Sequence, residues 1–175
     1  MKNLELKVPP VAVFLVALAL IHLSSILFPT LTITLPWPSL VMALCFCSSG
    51  FWGIAGLLEF RRFKTTVNPM APDLAATVVD SGVFALSRNP MYLGLLLLLF
   101  GLAYWQENAL SLVIVGGFVL YMNQYQIEPE ERILEAKFGE AYLHCETLVV
   151  MSDYLAFLAK IHIFVKKSLK HFSGL

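Results

Sequence analysis

Four apolar runs, at 11–28, 40–60, 91–105 and 109–125, constrain this chain more than any other feature. A bilayer core of ~30 Å takes about 20 residues of helix, so runs of this length read as membrane-spanning helices. The third run is short, with 15 residues, or about 22 Å at the helical rise. At 175 residues, 58% hydrophobic and 14% charged, the chain has the composition of a membrane protein. One bundle over 1–175 is expected, not two domains. The predicted fold is an all-α integral membrane protein with about four transmembrane helices, or five if the tail inserts.

Residues 1–10 carry Lys2 and Lys7 ahead of the first run. A signal peptide has a similar pattern, but the later runs favour a retained first span. His22 lies inside that span, where a lone histidine is expected to be satisfied by a neighbouring helix. Pro29 to Pro38, with Trp37, reads as an interfacial turn. In the second run Gly50, Gly53 and Gly56 fall three apart and predict a helix-packing face. Glu59, Arg61, Arg62 and Lys64 then mark the exit into water. Cys45 and Cys47 point to different faces and, with Cys145, match neither a disulfide framework nor a metal site. Gln106-Glu107-Asn108 makes a tight turn between the third and fourth runs. Gly116 and Gly117 read as packing contacts, because no nucleotide-loop pattern is present.

The formal net charge is zero, which implies no nucleic-acid partner. The distribution of charge says more than its sum. All 12 basic residues fall before the first span, between 61 and 90, or after 126. The positive-inside rule therefore puts both termini and the long 65–90 connection on the cytoplasmic side, in the inner membrane if the cell is bacterial. That connection contains Asn68-Pro69, Ala71-Pro72-Asp73 and Asp80-Ser81-Gly82, which is turn chemistry, and a loop this long is expected to be ordered around a site.

The loop ends in Ser87-Arg88-Asn89-Pro90-Met91-Tyr92-Leu93-Gly94, where polar groups run straight into an apolar helix. Pro90 suits the first helical turn. An interfacial anchor and a binding site both fit this octet. After Gln126 the pattern becomes amphipathic, with Pro129 suited to a helix start and Glu128, Glu130 and Glu131 to the positive end of its dipole. At 100° per residue Glu130 sits among Ile133, Leu134, Lys137 and Phe138, opposite Glu128, Glu131, Arg132 and Glu135. A carboxylate turned to the apolar face needs a partner. The tail from Thr147 to Phe172 mixes apolar residues with lysines and reads as an amphipathic surface helix against membrane lipids, so that 128–172 forms an amphipathic C-terminal region.

Taken in order, Thr65-Thr66-Val67-Asn68-Pro69, the octet, Glu130-Glu131-Arg132-Ile133-Leu134 and Phe138-Gly139-Glu140-Ala141-Tyr142 resemble the isoprenylcysteine carboxyl methyltransferase and phospholipid methyltransferase superfamily of membrane enzymes. The resemblance covers about residues 50 to 145. It implies an S-adenosylmethionine-dependent methyltransferase acting on a small or lipophilic acceptor. Such a reaction is an in-line displacement, for which the protein must align donor and acceptor and exclude water. The resemblance implies cofactor contacts at Pro69, with Asn68 beside it, at Ala76, Thr77, Val78 and Val79, and at Phe84, Asn89, Pro90, Met91, Tyr92 and Glu130. It gives Arg88 and Glu130 the catalytic positions, and it implies no metal.

Three departures from the family pattern stand out. Asn89 replaces a histidine, keeping a hydrogen bond but losing titration near neutral pH. Gln126 stands where prenylcysteine enzymes place an arginine for the substrate carboxylate, a charge-assisted pair that glutamine cannot make. Leu143-His144-Cys145 replaces the usual Tyr and Arg residues after Tyr142. A non-catalytic scaffold and a membrane reductase are the competing expectations; the chain is short for the latter.

Overall fold

A computed structural model describes residues 5–63, 82–87 and 89–139 of the chain. The expected elements at 64–81 and 140–175, including the amphipathic tail and Cys145, lie outside these residues. The described structure is helical: α1 (Pro10–Leu27), α2 (Pro38–Arg62), α3 (Pro90–Trp105), α4 (Ala109–Met122) and α5 (Glu128–Phe138). Short 3₁₀ turns occupy Pro29–Leu31 and Gly82–Ala85. A π-helical segment, Asn123–Ile127, joins α4 to α5. Three helices, Pro10–Leu27, Pro38–Arg62 and Ala109–Phe138, are long and apolar enough to cross a membrane, and α3 is a shorter apolar helix.

Proline starts these helices repeatedly. Pro10, Pro38, Pro90 and Pro129 each occupy the first or second helical position, where a missing N–H leaves no bond unmade. The far-side turn between α3 and α4 is closed by side chains. Asn108, 1% exposed, caps α4 by accepting from Leu110 N (3.0 Å) and Ser111 N (3.4 Å). Its Nδ2 donates to the Phe28 carbonyl at the end of α1, at 3.0 Å. Leu35 N–H donates to the Glu107 carboxylate at 3.0 Å, and Tyr104 Oη to the Pro36 carbonyl at 3.1 Å. Each bond satisfies a group that would be costly to leave unpaired at a membrane boundary.

Helix α3 is the centre. It packs against α2, α4 and α1, while α4 packs on α1. Leu96, Leu99 and Ala103 of α3 are fully enclosed. Its 16 residues give about 24 Å of helix. The α2–α3 seam is close because α3 supplies glycines: a methyl added at Gly101 would lie 2.7 Å from Cys45 Cβ, and one at Gly94 3.1 Å from the Ser49 carbonyl. The expected stripe on α2 is only partly used. Gly56 meets Pro90 and Met91, and Gly53 lies behind Gly94, but Gly50 meets none of the described residues.

Two further expectations are corrected. Gly116 and Gly117 make no close contact among the described residues, since none lies within 4 Å of a methyl built on either. His22 is on the exposed face of α1 and takes no partner from a neighbouring helix among the described residues. Ser24 occupies the inward position instead, bonded to Ser111 at 2.8 Å. The cysteines behave as expected, Cys45 buried and Cys47 exposed.

Gly101→Ala should therefore destabilise the protein by about 1–3 kcal/mol through overpacking. Gly116→Ala should be neutral or stabilising by up to about 1 kcal/mol, from helix propensity alone. Thermal unfolding in detergent of the two variants beside the parent measures the contrast.

Candidate functional site

The site lies where the start of α3 meets α5. Asn89 precedes α3, its carbonyl accepting from Leu93 N–H at 2.9 Å. Pro90 and Tyr92 are buried, and Asn89 and Met91 are half-buried. The segment before them is held by the last turns of α2. Phe84 packs edge-on against Phe60 with ring centroids 5.0 Å apart. Gly82 has φ +60° and lies under Glu59, whose carboxylate occupies the space a side chain there would need. Both demands select glycine. Glu59 thus does more than mark the exit into water, the role its sequence position suggests.

Tyr92 Oη donates a hydrogen bond to Glu130 Oε2 at 3.1 Å. This is the partner that an inward-facing carboxylate on α5 requires. Burial pushes the Glu130 carboxyl up to about 7, with the Tyr92 hydrogen bond opposing the rise and the neighbouring Glu131 charge adding to it. Glu130 lies past the apolar stretch of its helix. A half-buried carboxylate with one oxygen held by a phenol, and a pKa this high, is poised to take a cation that restores its ionised form.

The helix carrying Glu130 does not begin anew at Pro129, as its sequence suggests. From Ala109 to Phe138 it is one continuous helix. A proline inside an α-helix clashes with the carbonyl four residues earlier, here Tyr125. The π segment opens the turn: the Glu128 N–H bonds to the Asn123 carbonyl, five residues back. The Tyr125 carbonyl is taken by Leu6 N–H at 3.0 Å.

Gln126, in the same segment, is 0% exposed. Its Nε2 donates to the Val8 carbonyl at 2.5 Å, and its Oε1 has no hydrogen-bond partner among the described residues. The structure therefore brings Phe84, Asn89, Pro90, Met91, Tyr92 and Glu130 to one end of the bundle and ties Gln126 to the segment ahead of α1. Arg88, Pro69, Ala76, Thr77, Val78 and Val79 lie outside the described residues. Sequence reasoning missed Glu59, Phe60 and the Glu5–Val8 segment. Pro129 was the available signal for the last, since it frees a carbonyl that something else must satisfy.

The phospholipid methyltransferase family model matches residues 37–141, more than half of the chain and all of this site. The chain belongs to the phospholipid methyltransferase family. It is accordingly a membrane protein with methyltransferase-like function. A stretch of 52 residues is 48% identical to an uncharacterized protein of Haemophilus influenzae, covering 30% of this chain and 82% of that protein. No solved structure matches the chain.

The raised Glu130 pKa fixes a sign. Between the ordinary carboxylate value, 4.5, and about 7 the folded protein holds a proton that the unfolded chain releases. Stability should fall as pH rises through this window, by at most about 3 kcal/mol. Unfolding of the ligand-free protein in detergent from pH 4.5 to 8 should show the slope, and Glu130→Gln should flatten it.

Proposed function

We propose that the protein transfers a methyl group from S-adenosylmethionine to a small or lipophilic acceptor at the cytoplasmic face of the membrane. The observation that carries this reading is the Tyr92–Glu130 pair, 3.1 Å apart, at the end of a membrane bundle of the phospholipid methyltransferase family. The cofactor supplies an activated methyl on a sulfonium and carries an ammonium group. A desolvated carboxylate matches such a cation, because pairing offsets the cost of ionising Glu130 in its buried position.

The residues that would hold the cofactor are Tyr92 and Glu130 for its charged end. Phe84, Pro90 and Met91 would provide apolar walls, and Asn89 an amide. Pro69, Ala76, Thr77, Val78 and Val79 would complete the pocket from the long connection. Arg88 and Glu130 are the residues to which we assign catalytic roles. Gln126 sits near an acceptor in this reading. As a neutral amide it favours a group that donates a hydrogen bond over a carboxylate, which it cannot pair with. The basic residues flanking the spans support a reading, by the positive-inside rule, in which this end of the bundle and both termini face the cytoplasm. A soluble cofactor then enters from water and a lipophilic acceptor from the lipid.

Calorimetric titration of S-adenosylhomocysteine into the detergent-purified protein tests this. Binding should weaken by roughly tenfold or more in Glu130→Gln, through loss of a charge-assisted bond. Tyr92→Phe should weaken it less. Affinity in the parent should rise with pH up to about 7 and then level, because the ligand's ammonium pairs only with the ionised carboxylate. A folded protein that binds no S-adenosylhomocysteine across this range sinks the reading.

A further inference from the structure

Three contacts join the segment ahead of α1 to the helix that carries Glu130. Leu6 N–H donates to the Tyr125 carbonyl at 3.0 Å. Gln126 Nε2 donates to the Val8 carbonyl at 2.5 Å. Arg132 Nη2 pairs with Glu5 Oε2 at 2.8 Å. They bracket the end of the π segment and Pro129, the place where this helix is least regular.

Each contact has its own physical reason. Pro129 has no N–H for the Tyr125 carbonyl, so an outside donor is needed. Leu6 supplies it with φ +55°, a left-handed conformation that an L-leucine adopts only at a cost. The amide of Gln126 is wholly buried, and without Val8 its Nε2 would be an unsatisfied donor. The Glu5–Arg132 pair is more exposed, with side chains 28% and 56% accessible. It therefore adds little stability but fixes which turn of α5 meets the segment. The family match begins at residue 37, so this segment lies outside the part of the chain that carries the family pattern.

We propose that Glu5–Val8 is a positioning strap for the site: by pinning the π segment it sets the rotation of α5 and keeps Glu130 against the Tyr92 hydroxyl. A π turn holds one residue more than an α turn. If the segment relaxed to α geometry, everything after it would be re-registered by one position, a rotation of about 100°. That rotation takes Glu130 off the Tyr92 face. The strap prevents it by occupying the carbonyl and the amide that the irregular turn presents, and the Glu5–Arg132 pair holds Leu6 and Val8 in register with them. The inference rests on the proposed function only in treating Glu130 as the site carboxylate, and its test needs no activity.

The test uses the full-length, ligand-free protein in detergent. Infrared titration follows the protonated carboxyl band that disappears in Glu130→Gln. Its midpoint, about 7 in the parent, should move toward the ordinary carboxylate range in Glu5→Arg and also in Arg132→Glu, where the added negative charge alone would push it the other way. The double exchange Glu5→Arg/Arg132→Glu should restore it. A second measurement is independent of titration: with Cys45, Cys47 and Cys145 replaced by alanine, a short thiol-reactive linker joins Tyr92→Cys to Glu130→Cys. The yield should fall several-fold when either strap charge is reversed and recover in the double exchange. Unchanged midpoint and unchanged yield in both single variants overturn the proposal. So does a loss of thermal stability with the midpoint and yield kept, which is what a strap that merely adds stability would give.

Discussion

A backbone that enters a bilayer must satisfy its hydrogen bonds within the protein, because lipid offers none. Most of the polar contacts in this molecule answer to that one demand. At the far side, Asn108 caps α4 and reaches back to the Phe28 carbonyl of α1, while Glu107 gathers the 33–35 strand-like stretch through Leu35 N–H and Ile33 N–H. At the near side, Pro129 breaks the ladder and Leu6 repairs it. The four apolar helices α1–α4 are apolar on nearly every face, so sequence-distant backbone groups, rather than an amphipathic stripe, hold the bundle in register.

The spans themselves were legible because length and hydropathy are local properties. The runs at 11–28, 40–60, 91–105 and 109–125 correspond to α1, α2, α3 and α4 within a few residues. Glu130 was legible for a related reason: a period of 3.6 places it on the apolar face, and a carboxylate there needs a partner. The partner itself, Tyr92, was not legible: the resemblance gives both residues as cofactor contacts without pairing them, and the bond between them is seen only in the fold. What the pattern could not reveal is which small residues meet across a seam. Gly50, Gly53 and Gly56 look equivalent in sequence, yet the close approaches are made by Gly94 and Gly101 on α3. Nor could it reveal that His22 faces outward while Ser24 turns in, since both sit in a run that is apolar all round. Pro129 was read as a beginning because proline is common there. The π segment makes it an interior residue instead, a choice settled by the remote Leu6.

The candidate site combines two kinds of support. Tyr92 and the segment at 82–87 are held by rigid helices, through the α2–α3 seam and the Phe60–Phe84 contact. Glu130 stands on a helix whose rotation depends on an irregular turn. One partner is therefore fixed by packing and the other by hydrogen bonds to a segment distant in sequence. The geometry between them is only as exact as the second, softer support.

The staggered ends of α2 and α3 carry a consequence of their own. Pro90 and Met91, at the start of α3, lie beside Gly56, whereas α2 continues to Arg62. Six further residues of helix rise about 9 Å. The mouth of α3 is therefore recessed beneath the rim that α2 forms. Among the described residues α2, 25 residues long, packs chiefly on α3 and on the turn beside it. The last turns of α2, with Arg61 and Arg62, therefore overhang the end of the bundle where Tyr92 and Glu130 meet.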